Sequence, residues 1–447
     1  PGVSKLTRIE GIGPHTAKQL YDELGIKSIE ELAIAAKAGK LRSVKGLGER
    51  SEARILKSIQ YIGENQNRFI LGYKMPLILN ILNNLRKNPG VIRAEIAGSV
   101  RRMQETVGNF DFVIIAKNSE NVAVDFPNVN LHFTTSQSWG TSLQYYTGSK
   151  EHNSALEVLA KQRNYKLTNR ATEEEIYSAL GLKWIPPELR VNKGEIETSR
   201  LNKLPTLISY KDLKGDLQTQ TDWTDGKHSI KQMAEAAKKI GLEYIAITDH
   251  THTLKITNGN DDKRLLAQME EIDRVQKEVG GIKILKGAEV NILADGSLDI
   301  SDEVLAKLDV VGASVHSLMK KMSEAEMTNR ITRAMENPHV DIIFHPTGRI
   351  ISRREPYPVN MTKLIETAKR TGTILEANAW PDRLDLKDIH IKQAIESGVK
   401  ISIDSDAHAT EHFAVLEFGI AQARRGWARK SDVINAWPWE EMKKMLK

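Results

Sequence analysis

Short apolar runs recur through the second half of the chain, and several end on a charged or imidazole side chain. Tyr244-Ile-Ala-Ile-Thr leads to Asp249-His250, and Val310-Val-Gly-Ala-Ser-Val leads to His316. That pattern predicts strands of an α/β barrel with polar groups at the strand ends, where such barrels keep their chemistry. Near the start the pattern is helical instead. Ile9-Glu-Gly11-Ile-Gly13-Pro14-His-Thr-Ala-Lys18 opens an amphipathic helix, and Val44-Lys-Gly46-Leu-Gly48-Glu-Arg50-Ser-Glu-Ala53 repeats the form 35 residues on. A tight Gly-x-Gly turn between two helices leaves backbone N–H groups pointing outward at a helix N-terminus, where a phosphate can bind without any sequence being read. A pair of helix-capping turns is the plainer alternative. Lys18, Lys45 and Arg50 beside the glycines favour the phosphate reading.

Taken in order, the polar positions of the second half are Gly215-Asp-Leu-Gln218-Thr-Gln220 with Asp225, then Asp249-His250, Glu289, His316, His345 and Asp406-Ala-His408. One histidine beside an apolar run is more often structural than a ligand. Nine of the twelve histidines lie beyond residue 211, however, and several follow strand-like runs together with carboxylates. Ligands spread over many strand ends suit a multi-metal hydrolase, because each divalent ion needs several N and O donors plus an open position for water. Gln218 and Gln220 break the pattern, since an amide has no imidazole lone pair to offer a transition metal.

At 447 residues the chain can hold two or more domains with full cores. With 40% hydrophobic and 27% charged residues it reads as a soluble globular protein. No stretch is apolar enough to cross a bilayer, and no signal peptide is visible. The absence of cysteine excludes disulfides and thiolate metal sites and fits a cytoplasmic setting. The net charge of +6 is unevenly placed: residues 1–210 carry 29 Lys and Arg against 21 Asp and Glu, and residues 211–447 carry 35 against 37. The basic excess therefore lies in the first half, as a polyanion partner there would require.

The middle of the chain holds a second constellation. In Glu95-Ile-Ala-Gly98-Ser99-Val-Arg-Arg102-Met-Gln-Glu-Thr-Val-Gly-Asn109-Phe-Asp111, a Gly-Ser turn precedes two positions one residue apart that end on the same face of a strand. This resembles the nucleotidyltransferase palm, in which two such carboxylates hold metal ions about 4 Å apart for in-line attack on a triphosphate. Here the first of the pair is Asn109, which brings no charge. Further on, Gln137-Ser-Trp-Gly140-Thr-Ser-Leu-Gln-Tyr145-Tyr146-Thr-Gly148-Ser149 resembles the Tyr-Phe-Thr-Gly-Ser segment of family X DNA polymerases.

The remaining words agree with that family. Gly215-Asp-Leu, Ala246-Ile-Thr-Asp-His, Ala313-Ser-Val-His-Ser, His345-Pro-Thr-Gly-Arg, Glu376-Ala-Asn-Ala and Ile403-Asp-Ser-Asp-Ala-His resemble the PHP (polymerase and histidinol phosphatase) domain at the C-terminus of bacterial and archaeal family X polymerases. The two N-terminal turns resemble the helix-hairpin-helix of DNA repair proteins. The resemblance implies a multi-domain α/β chain with helix-hairpin-helix fingers over residues 1–65, a nucleotidyltransferase α+β palm over 66–150, a small thumb over 151–207 and a PHP barrel over 208–447. The polar stretch Thr198–Pro205 would link thumb to barrel.

The resemblance also implies roles. Catalytic metal positions in the palm fall on Asp111, Asn109 and, counting back from the tyrosines, Asn130; Asp125 is the alternative for the third, because the stretch between Asp111 and Asn130 is shorter than the family's. Gly98, Ser99 and Arg102 would hold the triphosphate of a dNTP, with Tyr145, Tyr146 and Gly148 beside its sugar. Gly11, Gly13, Lys18, Gly46, Gly48 and Arg50 would contact DNA. In the barrel, seven of the nine usual ligands remain: Asp225, His250, Glu289, His316, His345, Asp406 and His408. Gln218 and Gln220 stand where the family has His-x-His, and Asn291 stands where it commonly has a carboxylate.

The implied cofactors are Mg²⁺ or Mn²⁺ in the palm, weakened or lost, and Zn²⁺ or Mn²⁺ in the barrel, reduced in number. One barrel ion would sit on Asp225, His250 and His408 and another on Glu289, His316 and His345; the third, between positions 218, 220, Glu289 and Asp406, has lost both imidazoles. The implied partner is gapped or primer-template DNA, bound without regard to sequence by a monomer. The resemblance implies that the N-terminal domain with which the family grips a 5′ phosphate has either been lost or been cut away at Pro1. The expected activity is family X nucleotidyl transfer with 3′–5′ exonuclease or abasic-site hydrolysis, impaired in both. The competing expectations are a non-catalytic DNA-binding scaffold and a phosphoesterase for small phosphate esters, against which the N-terminal turns argue.

Overall fold

The structure is a computed structural model that describes residues 6, 7, 9, 12–64 and 68–447, without the side chains of 50 and 60–64. The chain divides into two compact units, Pro1–Arg68 with Arg349–Pro356, and Phe69–Gly348 with Tyr357–Lys447.

The smaller unit is helical. Helices α1 (Pro14–Leu24), α2 (Ile29–Lys37) and α3 (Glu49–Glu64) enclose a core of Leu20, Leu32, Leu41 and Ile55. Helix α1 begins with Pro at its first position, where the missing N–H costs nothing. It ends at Gly25, whose φ of +68° lets its own N–H reach the Tyr21 carbonyl and the next N–H, of Ile26, reach that of Leu20.

The larger unit opens with helix α4 (Leu71–Lys87), which packs on a three-stranded sheet of β1 (Val91–Ile96), β2 (Phe110–Ala116) and β3 (Val129–Phe133). Strand β2 is central, antiparallel to β1 and parallel to β3. A short helix α5 (Gly98–Arg101) follows β1, and α6 (Trp139–Thr147) covers the sheet. Helices α7 (Lys150–Gln162), α8 (Glu173–Ala179) and α9 (Glu195–Arg200) come next. They are tied to the sheet region by Glu173, which accepts two hydrogen bonds from Arg101 (2.7 and 2.8 Å) and two from Arg190 (2.6 and 3.1 Å). Burial alone would push this carboxyl up, but those hydrogen bonds and the two guanidinium charges hold it well below the usual carboxylate range.

Seven parallel strands then follow in sequential order: β4 (Gly215–Thr219), β5 (Tyr244–Ile247), β6 (Lys283–Asn291), β7 (Val310–Ser314), β8 (Ile342–Ile343), β9 (Ile374–Asn378) and β10 (Ile401–Asp404). The first and last meet where Gln220 N–H donates to the Ala407 carbonyl at 2.8 Å, so the sheet nearly closes into a barrel. Both faces are buried, which explains the unbroken apolar runs. Tyr244, Leu285, Val310, Ile342 and Ile374 fill the interior, while their neighbours Ile245, Ile284, Val311, Ile343 and Leu375 pack against the outer helices. Gly215 and Gly312 leave the room that the rings of Tyr244 and Phe344 occupy.

Sheet, helical segment and barrel are not separate bodies. On helix α10 (Leu416–Arg425) of the barrel, Arg425 donates to the Met103 carbonyl, Gln422 donates to Glu105 at 2.9 Å, and Arg424 donates to Glu188 at 2.7 Å.

Candidate functional site

Two polar clusters stand at strand ends. In the first, Asp111 on β2 is the register partner of Asn130 on β3, so the alternation of the two strands delivers both side chains to one place. Asn130 donates its amide N–H to Asp111 Oδ1 at 3.0 Å, and His132 Nε2 lies 2.9 Å from the same oxygen. The His132 ring stacks on Tyr146 with centroids 3.7 Å apart, and Tyr145 meets Tyr146 edge-on at 5.3 Å. Gly98 takes a φ of +61° with Asp111 pressed against its Cα, so no other residue fits that turn. Arg102 donates to the Thr147 carbonyl beside Gly148, and Ser99 lies in the first turn of α5. The nucleotide-contacting candidates and Asp111 are thus brought close together. Asn109 is exposed just before β2, with no side-chain partner among the described residues, and Asp125 is exposed in the loop before β3. The donor set does not fit a pair of Mg²⁺ or Mn²⁺ ions. Its one carboxylate already accepts from an amide and faces an imidazole, and neither neighbour brings negative charge.

The second cluster lies at the C-terminal ends of the barrel strands and centres on Glu289, which is fully buried. His316 Nε2 and His345 Nε2 approach Glu289 Oε1 at 3.2 and 2.9 Å. Its other oxygen accepts the amide N–H groups of Gln218 at 3.2 Å and Gln220 at 3.0 Å, with His250 Nδ1 3.3 Å away. Burial works against its charge, yet the neighbouring His250 and His316 hold Glu289 well below the ordinary range. Beside it, Asp225, His250 and His408 can direct one donor atom each into a common space, as can His250, Glu289 and His316.

Two of these histidines are oriented for a metal. His408 Nδ1–H donates to the Asp406 carbonyl at 2.8 Å, and His316 Nδ1–H donates to Asn291 Oδ1 at 2.7 Å, which turns each Nε2 toward the carboxylates. Asn291 is fixed in turn by donating to Thr251 Oγ1 (2.9 Å) and Asp299 (2.9 Å). Asp225 stands on a loop held by buried Asp249, which accepts from Thr221 N–H, Thr224 and Gln268. Although burial opposes it, Asp225 and Asp406 push His408 up to about 9. A divalent ion therefore fits at Asp225, His250 and His408, and the second group that converges is His250, Glu289 and His316, with His345 set against Glu289 instead. The position between Gln218, Gln220, Glu289 and Asp406 does not fit, because amide N–H donors already point at the carboxylate an ion would need.

Three groups in the barrel site were given no role from the sequence, although two of them lie in the Glu376-Ala-Asn-Ala run. Asn378 donates to Gln218 Oε1 at 3.2 Å and to Asp406 Oδ2 at 3.3 Å, and Glu376, two residues earlier, accepts from His345 N–H. Both end an apolar run, the signal that marks the other ligands. Arg383 places its Nε 3.5 Å from Asp406. It lies in a loop, and no spacing rule points to it. His132 in the first cluster was likewise given no role.

At the helical unit, Gly13 and Gly48 precede helices α1 and α3. Space is open around both, and neither has a positive φ, whereas Gly46 has φ +91°. Lys18 and Lys45 are exposed. Gly11 and the side chain of Arg50 lie outside the described residues.

Comparison with known proteins agrees with this arrangement. A SAM-like helix-hairpin-helix tandem family matches residues 3–60, and the PHP domain family matches residues 216–353. The chain is 36% identical to the DNA polymerase/3′-5′ exonuclease PolX of Bacillus subtilis (strain 168) over 485 aligned positions, which cover 100% of this chain and 85% of that protein. The barrel half is similar to proteins named "probable phosphatase". One from Thermoanaerobacter sp. (strain X514) is 32% identical, covering 49% of this chain and 89% of the relative. Another from Caldanaerobacter subterraneus subsp. tengcongensis is 31% identical, covering 43% and 76%.

Proposed function

Since the chain belongs to the family X DNA polymerases that carry a C-terminal PHP domain, we propose that it is a DNA-binding protein of cytoplasmic DNA repair, weakened in both nucleotidyl transfer and hydrolysis. The observation that carries this reading is the state of Asp111. Its Oδ1 accepts from Asn130 and faces His132, so the carboxylate that should help hold two ions is already engaged by uncharged or basic groups. Gly98, Ser99, Arg102, Tyr145, Tyr146 and Gly148 would still receive a dNTP, without the charge that aligns it for attack.

In the barrel the proposed role is hydrolysis of DNA 3′ ends or abasic sites. Asp225, His250 and His408 would hold one Zn²⁺ or Mn²⁺ and Glu289, His316 and His345 a second. A bound ion supplies Lewis acidity and a water of lowered pKa. Asn291 and the Asp406 carbonyl orient the imidazoles, and Asp249 sets the Asp225 loop. With Gln218 and Gln220 in place of imidazoles, the attacking water is held less firmly and turnover is slow. The helix-hairpin-helix match favours DNA, gapped or primer-template, over a small phosphate ester, and the protein would act as a monomer.

A non-catalytic DNA-binding scaffold is the second reading, favoured by the two glutamine amides that satisfy Glu289 without an ion. Elemental analysis of metal per chain, beside primer-extension and 3′-exonuclease assays, separates the two. The proposal expects at most two barrel ions, extension near background and slow hydrolysis. DNA binding with neither metal nor hydrolysis would establish the scaffold, and robust extension would overturn both.

A further inference from the structure

Arg383 is a cation in the barrel site that the protein does not satisfy. It lies in the segment after β9, five residues beyond Asn378. Its one ion pair is with Asp406, Nε to Oδ2 at 3.5 Å, and among the described residues its guanidinium donates no hydrogen bond to the protein. Its side chain is only 24% exposed. A guanidinium offers five N–H donors in a rigid fork, and here that fork is open to solvent or to a ligand. Asp406 takes only this one long contact from the guanidinium, while its Oδ2 also accepts from Asn378 at 3.3 Å and its Oδ1 is 3.8 Å from His408. The carboxylates of Asp406, Glu289, Asp385 and Glu376 keep the guanidinium charged despite its burial.

Asp406 thus stands between Arg383 and His408 of the Asp225, His250 and His408 group, one carboxylate away from each. The vacant fork has the geometry that pairs with two oxygens of an oxyanion. It also supplies positive charge on the side where Gln218 and Gln220 no longer support an ion. We propose that Arg383 binds phosphate, taking the non-bridging oxygens of a phosphate group held against the Asp225, His250 and His408 position. This rests on the reading of the barrel as a phosphoesterase site. It adds that the guanidinium replaces part of the charge of the unsupported ion.

The test uses the full chain, metal-free and with Mn²⁺, titrated calorimetrically with inorganic phosphate and, separately, with a thymidine dinucleotide that carries one phosphodiester. Loss of the charge-assisted hydrogen bonds in Arg383→Met should weaken binding of one or both probes about 10- to 100-fold. Arg383→Lys, which keeps the charge without the fork, should fall between, and the Mn²⁺ stoichiometry of both variants should equal that of the parent. Dependence on Arg383 for the dinucleotide identifies a phosphodiester ligand, and dependence for inorganic phosphate alone identifies a free phosphate or monoester; either supports the proposal. It is overturned if the parent binds neither probe, if Arg383→Met binds both as tightly as the parent, or if a folded Arg383→Met chain loses its Mn²⁺, which would make Arg383 a prop for Asp406. Should Arg383→Met fail to fold, an Arg383→Lys chain that binds both probes as tightly as the parent would overturn it equally. A parent that takes up no Mn²⁺ would refute the metal-dependent reading, while the metal-free titration still decides the role of Arg383.

Discussion

Two glutamine amides converge on one oxygen of Glu289, and that contact explains how a site short of two imidazoles holds together without a third ion. Each N–H supplies a hydrogen bond to a charged acceptor, worth roughly 1.5–3 kcal/mol. In Gln218→His/Gln220→His the amides are lost and the imidazoles gained. Elemental analysis should then find one more ion per chain, and cleavage of DNA 3′ ends should rise. The same variant in chelator should melt below the parent. An unchanged metal content would refute this account of the site. The palm admits a parallel test: Asn109→Asp with Asn130→Asp should raise metal-dependent primer extension by about 10²–10³, and failure to rise would mean that His132 still commands Asp111. The residue types at Asp111 and at the seven barrel positions were legible because each ends an apolar run or sits in a local motif. Arg383 and the grip of His132 on Asp111 were not. They arise from contacts between strands and loops that no spacing along the chain encodes.

At the scale of elements, the unbroken apolar runs foretold barrel strands, and the polar residue closing each run foretold the face that carries the site. The periodicity could not supply the sequential order of the seven parallel strands, nor their closure through Gln220 and Ala407, because pairing is a property of two segments at once. It was equally silent on Glu173, an ordinary glutamate in a charged run. In the fold that residue ties α8 to Arg101 and to Arg190, a fully buried guanidinium. Removing its charge should leave Arg190 inadequately paired, so Glu173→Gln should cost about 3–5 kcal/mol in chemical denaturation. The pH dependence follows from the depressed carboxyl. Its contribution is complete above the unfolded value of about 4.3 and fades as pH falls through that value toward the lower folded one. The acid-induced loss of stability should accordingly be shallower in Glu173→Gln, and identical acid profiles would show that the cluster stores little energy.

Over the whole molecule the basic excess belongs to the first 210 residues, while among the described residues the metal-ligand groups lie in a second half that is slightly acidic. A chain so divided should bind DNA chiefly through phosphates, with affinity that falls steeply between about 50 and 200 mM salt and changes little with sequence. The two Gly-x-Gly turns are not equivalent carriers of that affinity. Helix α1 follows Gly13, with no side-chain cap from that residue and no acid in its first turn, so among the described residues no carboxylate offsets the positive end of its dipole. Helix α3 carries Glu49 and Glu52 in its first turn, where Arg42 pairs with both, at 3.4 and 2.9 Å. Gly13 and Gly48 have open space and ordinary φ, so nothing in the folding of the unit demands glycine there, and a bulky residue can be introduced without strain. Gly13→Val should weaken binding to a gapped duplex by about ten-fold, the cost of one charge-assisted contact, and Gly48→Val by less, as read by fluorescence anisotropy at fixed salt. Both variants should melt with the parent. Equal losses would mean that the glutamates of α3 do not screen its N-terminus, and no loss from Gly13→Val would remove the first turn from the DNA-binding surface altogether.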